Sequence, residues 1–212
     1  MTGSYNKLYL SDVMDSLGAM FDYAVNSCGE PLGLFCSRFL ASGAASQIER
    51  GNPRYLCGMS GIELAHTVAE RTGSPLKAAG QLVDIGSPEY WTGWTLAYLQ
   101  WHLGKSFRMM ETAGAGALEL HARYQALHEA DLSKSLAFAT AAFERYLRQS
   151  NPLKRLRINA GLTQNGLAEQ SGLSLRAIRA YEQGQLQLAS AGAGSLFKLA
   201  SALGCSAEEL LG

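Results

Sequence analysis

The fold turns on "TQNGLAEQSGLSLRAIRAYEQG", residues 163–184. Its residue types are spaced as two short helices joined by a tight turn. Leu167 and Ala168 fall on the inner face of the first helix, and Ala168 is small where the second helix must cross close to it. Gly172 supplies the positive φ that such a turn needs, at little steric cost. Ser174 carries a hydroxyl placed to cap the second helix. Ile178 and Tyr181, three apart, anchor that helix to a core. Leu175, Arg176, Arg179 and Ala180 are then left pointing outward.

The flanks agree with this reading. Ahead of the pair, "LKRLRINAGL" (153–162) is amphipathic; behind it, "SLFKLASALGCSAEELLG" (195–212) supplies two short helices. Together these segments resemble the Cro/C1-type (Xre family) helix-turn-helix domain, a five-helix, lambda-repressor-like fold, placed here over residues 151–212. The resemblance implies binding of double-stranded operator DNA through Thr163, Gln164, Ser174, Leu175, Arg176, Arg179, Ala180 and Gln183. Gln164 would bond a phosphate, helped by the amide groups of its helix start. Arg176 would bond a guanine edge, a contact worth ~1–3 kcal/mol of discrimination. Leu175 would pack on a thymine methyl, while Arg179 and Gln183 would touch the backbone. Arg157 and Glu182 match positions that pair inside the fold, and so are assigned to structure.

Two departures from the pattern matter. Apolar Leu175 and Ala180 stand where polar side chains are common, so direct base reading is sparse. The connection after Gly184 is longer than usual, and "QLQLASAGAG" (185–194) has no Lys or Arg to lie on phosphates. Weak monomeric binding is therefore expected, rescued by dimerisation across two half-sites or by a low-specificity site. Loss of DNA binding with retention of the fold is the alternative.

The formal net charge of the chain is zero, which conceals an asymmetry. Residues 151–212 carry six cations (Lys154, Arg155, Arg157, Arg176, Arg179, Lys198) against four acids (Glu169, Glu182, Glu208, Glu209), leaving the remainder acidic by the same amount. The sign suits DNA at the C-terminal end, but the magnitude is modest. There is no apolar run of the roughly 18 residues that span a bilayer, and "MTGSYNKLYLSD" (1–12) lacks the features of a secretion signal. Cys28, Cys36, Cys57 and Cys205 have neither metal-ligand nor disulfide-scaffold spacing. The expectation is a cytoplasmic protein with mostly buried free thiols, no membrane association, no metal and no cofactor.

Upstream of "QSNPL" (149–153), where Asn151-Pro152 marks a boundary, residues 1–150 read as a helical domain, making the whole protein all-α. Leu10, Val13, Leu17, Phe21, Ala24 and Val25 form one stripe, with Ser11 or Asp12 available as its cap. Pro31 opens a second helix, Ile62, Leu64, Ala65 and Val68 mark a third, and Ser87-Pro88-Glu89 begins a fourth. Leu118, Tyr124, Leu127, Leu132, Leu136, Phe143 and Leu147 imply one or two more. Trp91, Trp94, Tyr98 and Trp101 share one helix face, which can be a core, a protein interface or a ligand cage, core being the commonest role. "RGNPRYLCGMSG" (50–61) reads as a helix connection or a partner-facing loop, and "SAGAG" (190–194) as a flexible stretch. His66, His102, His121 and His128 are scattered, and "ETAGAGALEL" (111–120) lacks the context of a phosphate loop. No nucleophile is placed beside a base, so no catalytic residues are expected.

"LGAMFDYAVNSCG" (17–29), "SGAASQIERGNPRYLCGMSGIELA" (42–65) and "SPEYWTGWTLAYLQWHLGKSF" (87–107) also resemble the helical N-terminal region of a group of bacterial Xre-type regulators whose genes often lie beside toxin genes. That resemblance implies an antitoxin or autorepressor whose N-terminal domain holds a partner toxin. The expected function is a dimeric repressor of its own operon; the alternatives are a toxin-neutralising antitoxin with DNA binding as feedback, and a metabolite-sensing regulator.

Overall fold

A computed structural model describes residues 4–77, 80, 82–149 and 151–211, and among these the secondary structure is helical, with no strand. The chain divides into two compact units, Met1–Phe143 and Glu144–Gly212.

In the first unit a 3₁₀ turn, Lys7–Tyr9, leads into α1 (Leu10–Asp22) and then a π-helical turn, Tyr23–Ser27. There follow α2 (Leu32–Ala41), α3 (Ala44–Glu49), α4 (Pro53–Leu56), α5 (Gly61–Arg71), α6 (Pro88–Leu103), α7 (Phe107–Ala113), α8 (Ala117–His121), α9 (Tyr124–Leu127) and α10 (Leu132–Gln149), within which the division falls. The expected cap at Ser11 or Asp12 is corrected, because both lie inside α1. Asn6 caps the preceding 3₁₀ turn, its side chain accepting the Leu8 N–H at 3.0 Å, and α1 follows Tyr9 with no side-chain cap of its own. The stretch 50–61 is not an open loop. Asn52 caps α4, Pro53 takes its first position, and Tyr55 and Leu56 are buried. Ser60 and Glu63 then form a reciprocal capping box at the head of α5. The region 117–149 holds three helices where the periodicity implied one or two. Short elements such as α8 and α9 are too brief to establish a period.

Glycines set how closely α1 meets its neighbours. A Cβ on Gly93 of α6 would lie 2.2 Å from the Leu17 carbonyl oxygen, and one on Gly61 of α5 would lie 2.5 Å from that of Ser16. Around this contact Phe21 packs edge-on against Phe35 and Phe39, and Phe39 against Phe107, with ring centroids 5.2–6.0 Å apart. Ser87 caps α6 by accepting the Tyr90 N–H at 2.9 Å and donates its own hydroxyl to buried Asp22 at 2.6 Å. The aromatic face of α6 is not the core. Its buried residues are Thr92, Gly93, Thr95, Leu96, Ala97, Leu99 and Gln100, whereas Trp91, Trp94, Tyr98 and Trp101 are half-buried. Their polar edges are engaged, Trp94 Nε1 by Asp15 at 3.2 Å and Trp101 Nε1 by the Tyr5 carbonyl at 2.9 Å.

The second unit contains α11 (Pro152–Asn159), α12 (Gln164–Ser171), α13 (Leu175–Glu182), a 3₁₀ turn at Leu188–Ser190, α14 (Ala193–Leu203) and α15 (Ala207–Leu211). Leu153, Leu167, Ile178, Leu188, Leu199, Ala200 and Leu210 form its core. Residues 190–194 are not a free tether: Ser190 closes the 3₁₀ turn, Gly192 is the helix cap, and Ala193 and Gly194 begin α14. The long connection is tied down in its middle by Leu188, which is buried.

Cys28 and Cys36 are buried, Cys205 is half-buried and Cys57 is exposed, so the thiols are more varied than expected. Each histidine has a protein partner: Tyr23 Oη for His66, Glu89 for His121, and the carbonyls of Tyr98 and Tyr124 for His102 and His128. Among the described residues no group of three or more His, Cys, Asp or Glu is arranged to hold a metal ion, and no helix is long and apolar enough to cross a membrane.

Candidate nucleic-acid interface

The turn between α12 and α13 is made by Gly172, whose φ of +65° lies in the left-handed region that a Cβ disfavours. On either side the chain is capped by hydroxyls. Thr163 accepts the Gly166 N–H at 2.9 Å, and Ser174 accepts the Ala177 N–H at 3.2 Å. Fully buried Leu167 and Ile178 hold the two helices to the core, with Ala168 and Tyr181 packed partly buried beside them.

A polar network stiffens this pair. Arg157 of α11 grips Glu182 at the end of α13 through two parallel bonds, Nε to Oε1 at 2.6 Å and Nη2 to Oε2 at 3.0 Å. Its third nitrogen, Nη1, donates to the Leu162 carbonyl at 2.8 Å. Gln164 also belongs to this network, because its Nε2 donates to Glu182 Oε2 at 2.8 Å. The second Nε2 hydrogen and the side-chain oxygen of Gln164 are left for outside contacts. Asn151 adds a tie that the sequence reading used only as a boundary mark. Its oxygen caps α11, and its Nδ2 donates to the Tyr181 carbonyl at 2.8 Å. The signal was in the Asn-Pro pair, but its partner 30 residues away was not.

Against this frame the outward residues sort plainly. Thr163, Ser174, Arg176, Arg179 and Gln183 are exposed, and Gln164, Leu175 and Ala180 are half-buried. Among the described residues neither Arg176 nor Arg179 is held in an ion pair. Arg157, 8% exposed, is neutralised by Glu182 and gives no free charge to the surface. The surface therefore offers two exposed guanidiniums on one helix, helix-start amides capped by hydroxyls, and apolar patches between them, chemistry that suits phosphates and base edges.

Trp91, Trp94, Tyr98 and Trp101 are brought together only in part. Trp91 packs edge-on against Tyr124, with ring centroids 5.6 Å apart, whereas Tyr98 and Trp101 both pack on His102.

No curated protein and no solved structure matches the chain. Residues 153–210 match the family model described as Helix-turn-helix, the Xre (Cro/C1) type of the motif, and this stretch of the chain is a helix-turn-helix domain.

Proposed function

We propose that this protein is a sequence-specific DNA-binding transcription regulator that works as a dimer and represses its own operon. The observation that carries the reading is the outward face of α13, where Arg176 and Arg179 stand free on a helix fixed by the Arg157–Glu182–Gln164 network. A rigid helix bearing unpaired guanidiniums fits the major groove. Arg176, near the helix start, reads a guanine; Arg179, Thr163, Gln164 and Gln183 take phosphates; Ser174, Leu175 and Ala180 line the base edges. Two copies on two half-sites supply the affinity that one sparse reading surface lacks. Residues 1–150 form a separate functional domain, and 151–212 form the DNA-binding one.

The test is binding to DNA upstream of its own gene over a salt series, wild type beside Arg176→Ala. Tight, salt-sensitive binding that the substitution weakens at that site and not on random DNA supports the reading. Equal binding to both DNAs by the wild type overturns it.

A second activity, capture of a partner protein such as a toxin by the N-terminal unit, is favoured by one surface feature. Leu82 and Ile85 are 78% and 75% exposed, yet the segment that carries them is tied back at Leu82 and Asp84. Asp22 accepts the Asp84 N–H at 2.9 Å, and Ser27 Oγ donates to the Leu82 carbonyl at 2.9 Å. Apolar side chains held out on a tethered segment suit a protein partner. Co-purification with the product of a neighbouring gene, lost in a Leu82→Asp/Ile85→Asp variant, checks it.

A further inference from the structure

Beside the exposed Leu82 the N-terminal unit is hollow. The walls of a concavity of about 430 Å³ include Asp22, Asn26, Ser27, Leu82, Val83 and Asp84. One wall comes from the end of α1 and the π-helical turn after it, the other from the segment tied back across them. Asp22, only 1% exposed, organises the site. Its Oδ1 accepts from Asn26 Nδ2 at 2.7 Å and from Ser87 Oγ at 2.6 Å, and its Oδ2 accepts the Asp84 N–H at 2.9 Å.

The donors of these walls are already engaged. Asn26 Nδ2 has two hydrogens, one given to Asp22 and one to Glu89 Oε2 at 3.0 Å. The Ser27 hydroxyl gives its hydrogen to the Leu82 carbonyl at 2.9 Å. The groups left over are acceptors, namely Asn26 Oδ1, the Ser27 lone pairs and the Asp84 carboxylate, whose Oδ1 takes the Gly86 N–H at 2.8 Å. No Lys, Arg or His is among these wall residues, and among the described residues neither Asp22 nor Asp84 is in an ion pair. Glu89, the next acid along, is already met by His121 at 2.9 Å.

An occupant of this hollow must therefore donate hydrogen bonds and carry positive charge, and one bearing phosphates or carboxylates is repelled. Exposed Leu82 and Ile85 suit apolar neighbours beside that charge. A guanidinium has five donors and is more weakly hydrated than an ammonium, which favours it at protein interfaces. We propose that the hollow receives an arginine side chain of a partner protein, its guanidinium on the Asp84 carboxylate and its apolar neighbours on Leu82 and Ile85. The inference rests on the partner-capture reading above and names the chemistry of the partner.

The experiment selects short peptides from a random displayed library on the full-length protein. Those whose binding is lost in Leu82→Asp/Ile85→Asp are synthesised, and they are expected to carry an arginine beside large apolar residues. Citrulline in place of that arginine removes the charge with little change of shape. It should weaken binding to the wild type about tenfold, the size of one hydrogen bond between charged groups. Asp84→Asn, at an exposed position, should weaken the arginine peptide by a similar factor and leave the citrulline peptide nearly unchanged, because both changes remove the same interaction. Selected peptides without arginine overturn the proposal. So does a neutral citrulline replacement, or an equal citrulline loss in wild type and Asp84→Asn. Failure to select any peptide sensitive to Leu82→Asp/Ile85→Asp overturns the partner-surface reading itself, a separate result.

Discussion

Arg157 and Glu182, 25 residues apart in sequence, form a two-pronged ion pair at 2.6 and 3.0 Å with side chains only 10% and 3% exposed. The pair joins α11 to the end of α13, and Gln164 leans on the same carboxylate. Removing one partner of such a buried pair leaves an uncompensated charge, at about 3–5 kcal/mol. Glu182→Ala is therefore expected to unfold the C-terminal unit at a much lower temperature, followed by circular dichroism. Replacing both residues with apolar ones of similar size should be far milder than the single substitution, because no charge is left stranded.

Gly172 is constrained by conformation alone. Its φ is +65°, and a Cβ added there would meet nothing within 4 Å. Gly172→Ala should lower stability by roughly 1–2 kcal/mol, the cost of a left-handed residue with a Cβ. The fold and DNA affinity at low temperature should be retained. Chemical denaturation that showed no loss would mean the turn can relax.

Gly93 is constrained by space. A Cβ there would sit 2.2 Å from the Leu17 carbonyl oxygen and 2.9 Å from the Phe21 ring. The first contact is with backbone, so α1 and α6 must move apart and the whole aromatic core with them. Gly93→Ala should cost about 1–3 kcal/mol or more through overpacking, read as a lower melting temperature of the N-terminal unit with the C-terminal transition unchanged.

Glu111 makes stability depend on pH. Burial raises its carboxyl above the ordinary value of 4.5, and the nearby Glu119 raises it further, against a hydrogen bond from the Ala117 N–H. A group raised in the folded state contributes fully below its unfolded value, and that contribution is lost as pH rises through the folded value. Glu111→Gln removes the charge and keeps the shape. The variant should melt above the wild type at neutral pH, and the advantage should shrink towards zero below pH 4.5. A constant difference across that range would assign the effect to packing.

Local chemistry made much of this protein legible from its sequence. Gly172, Ser174, Ser87-Pro88 and the spacing of Leu167, Ile178 and Tyr181 act within one turn of themselves. Caps, positive-φ glycines and helix periods are properties of neighbouring residues. The all-helical class and the helix-turn-helix segment follow from them.

Tertiary structure decided the rest, because burial depends on what an element meets. α6 is apolar around much of its circumference, so its sequence has no single inward direction. The large aromatics suggested one, yet the face that is buried is the small one around Gly93, where α1 can approach within contact of the backbone. Ser11 and Asp12 had the chemistry of caps, but a 3₁₀ turn capped by Asn6 runs straight into α1, which begins after Tyr9 with no side-chain cap and takes both residues inside it. The tie from Asn151 to Tyr181, the place of Gln164 on Glu182 and the hollow between Asp22 and Asp84 all join residues distant in sequence. Their geometry exists only after the helices have packed.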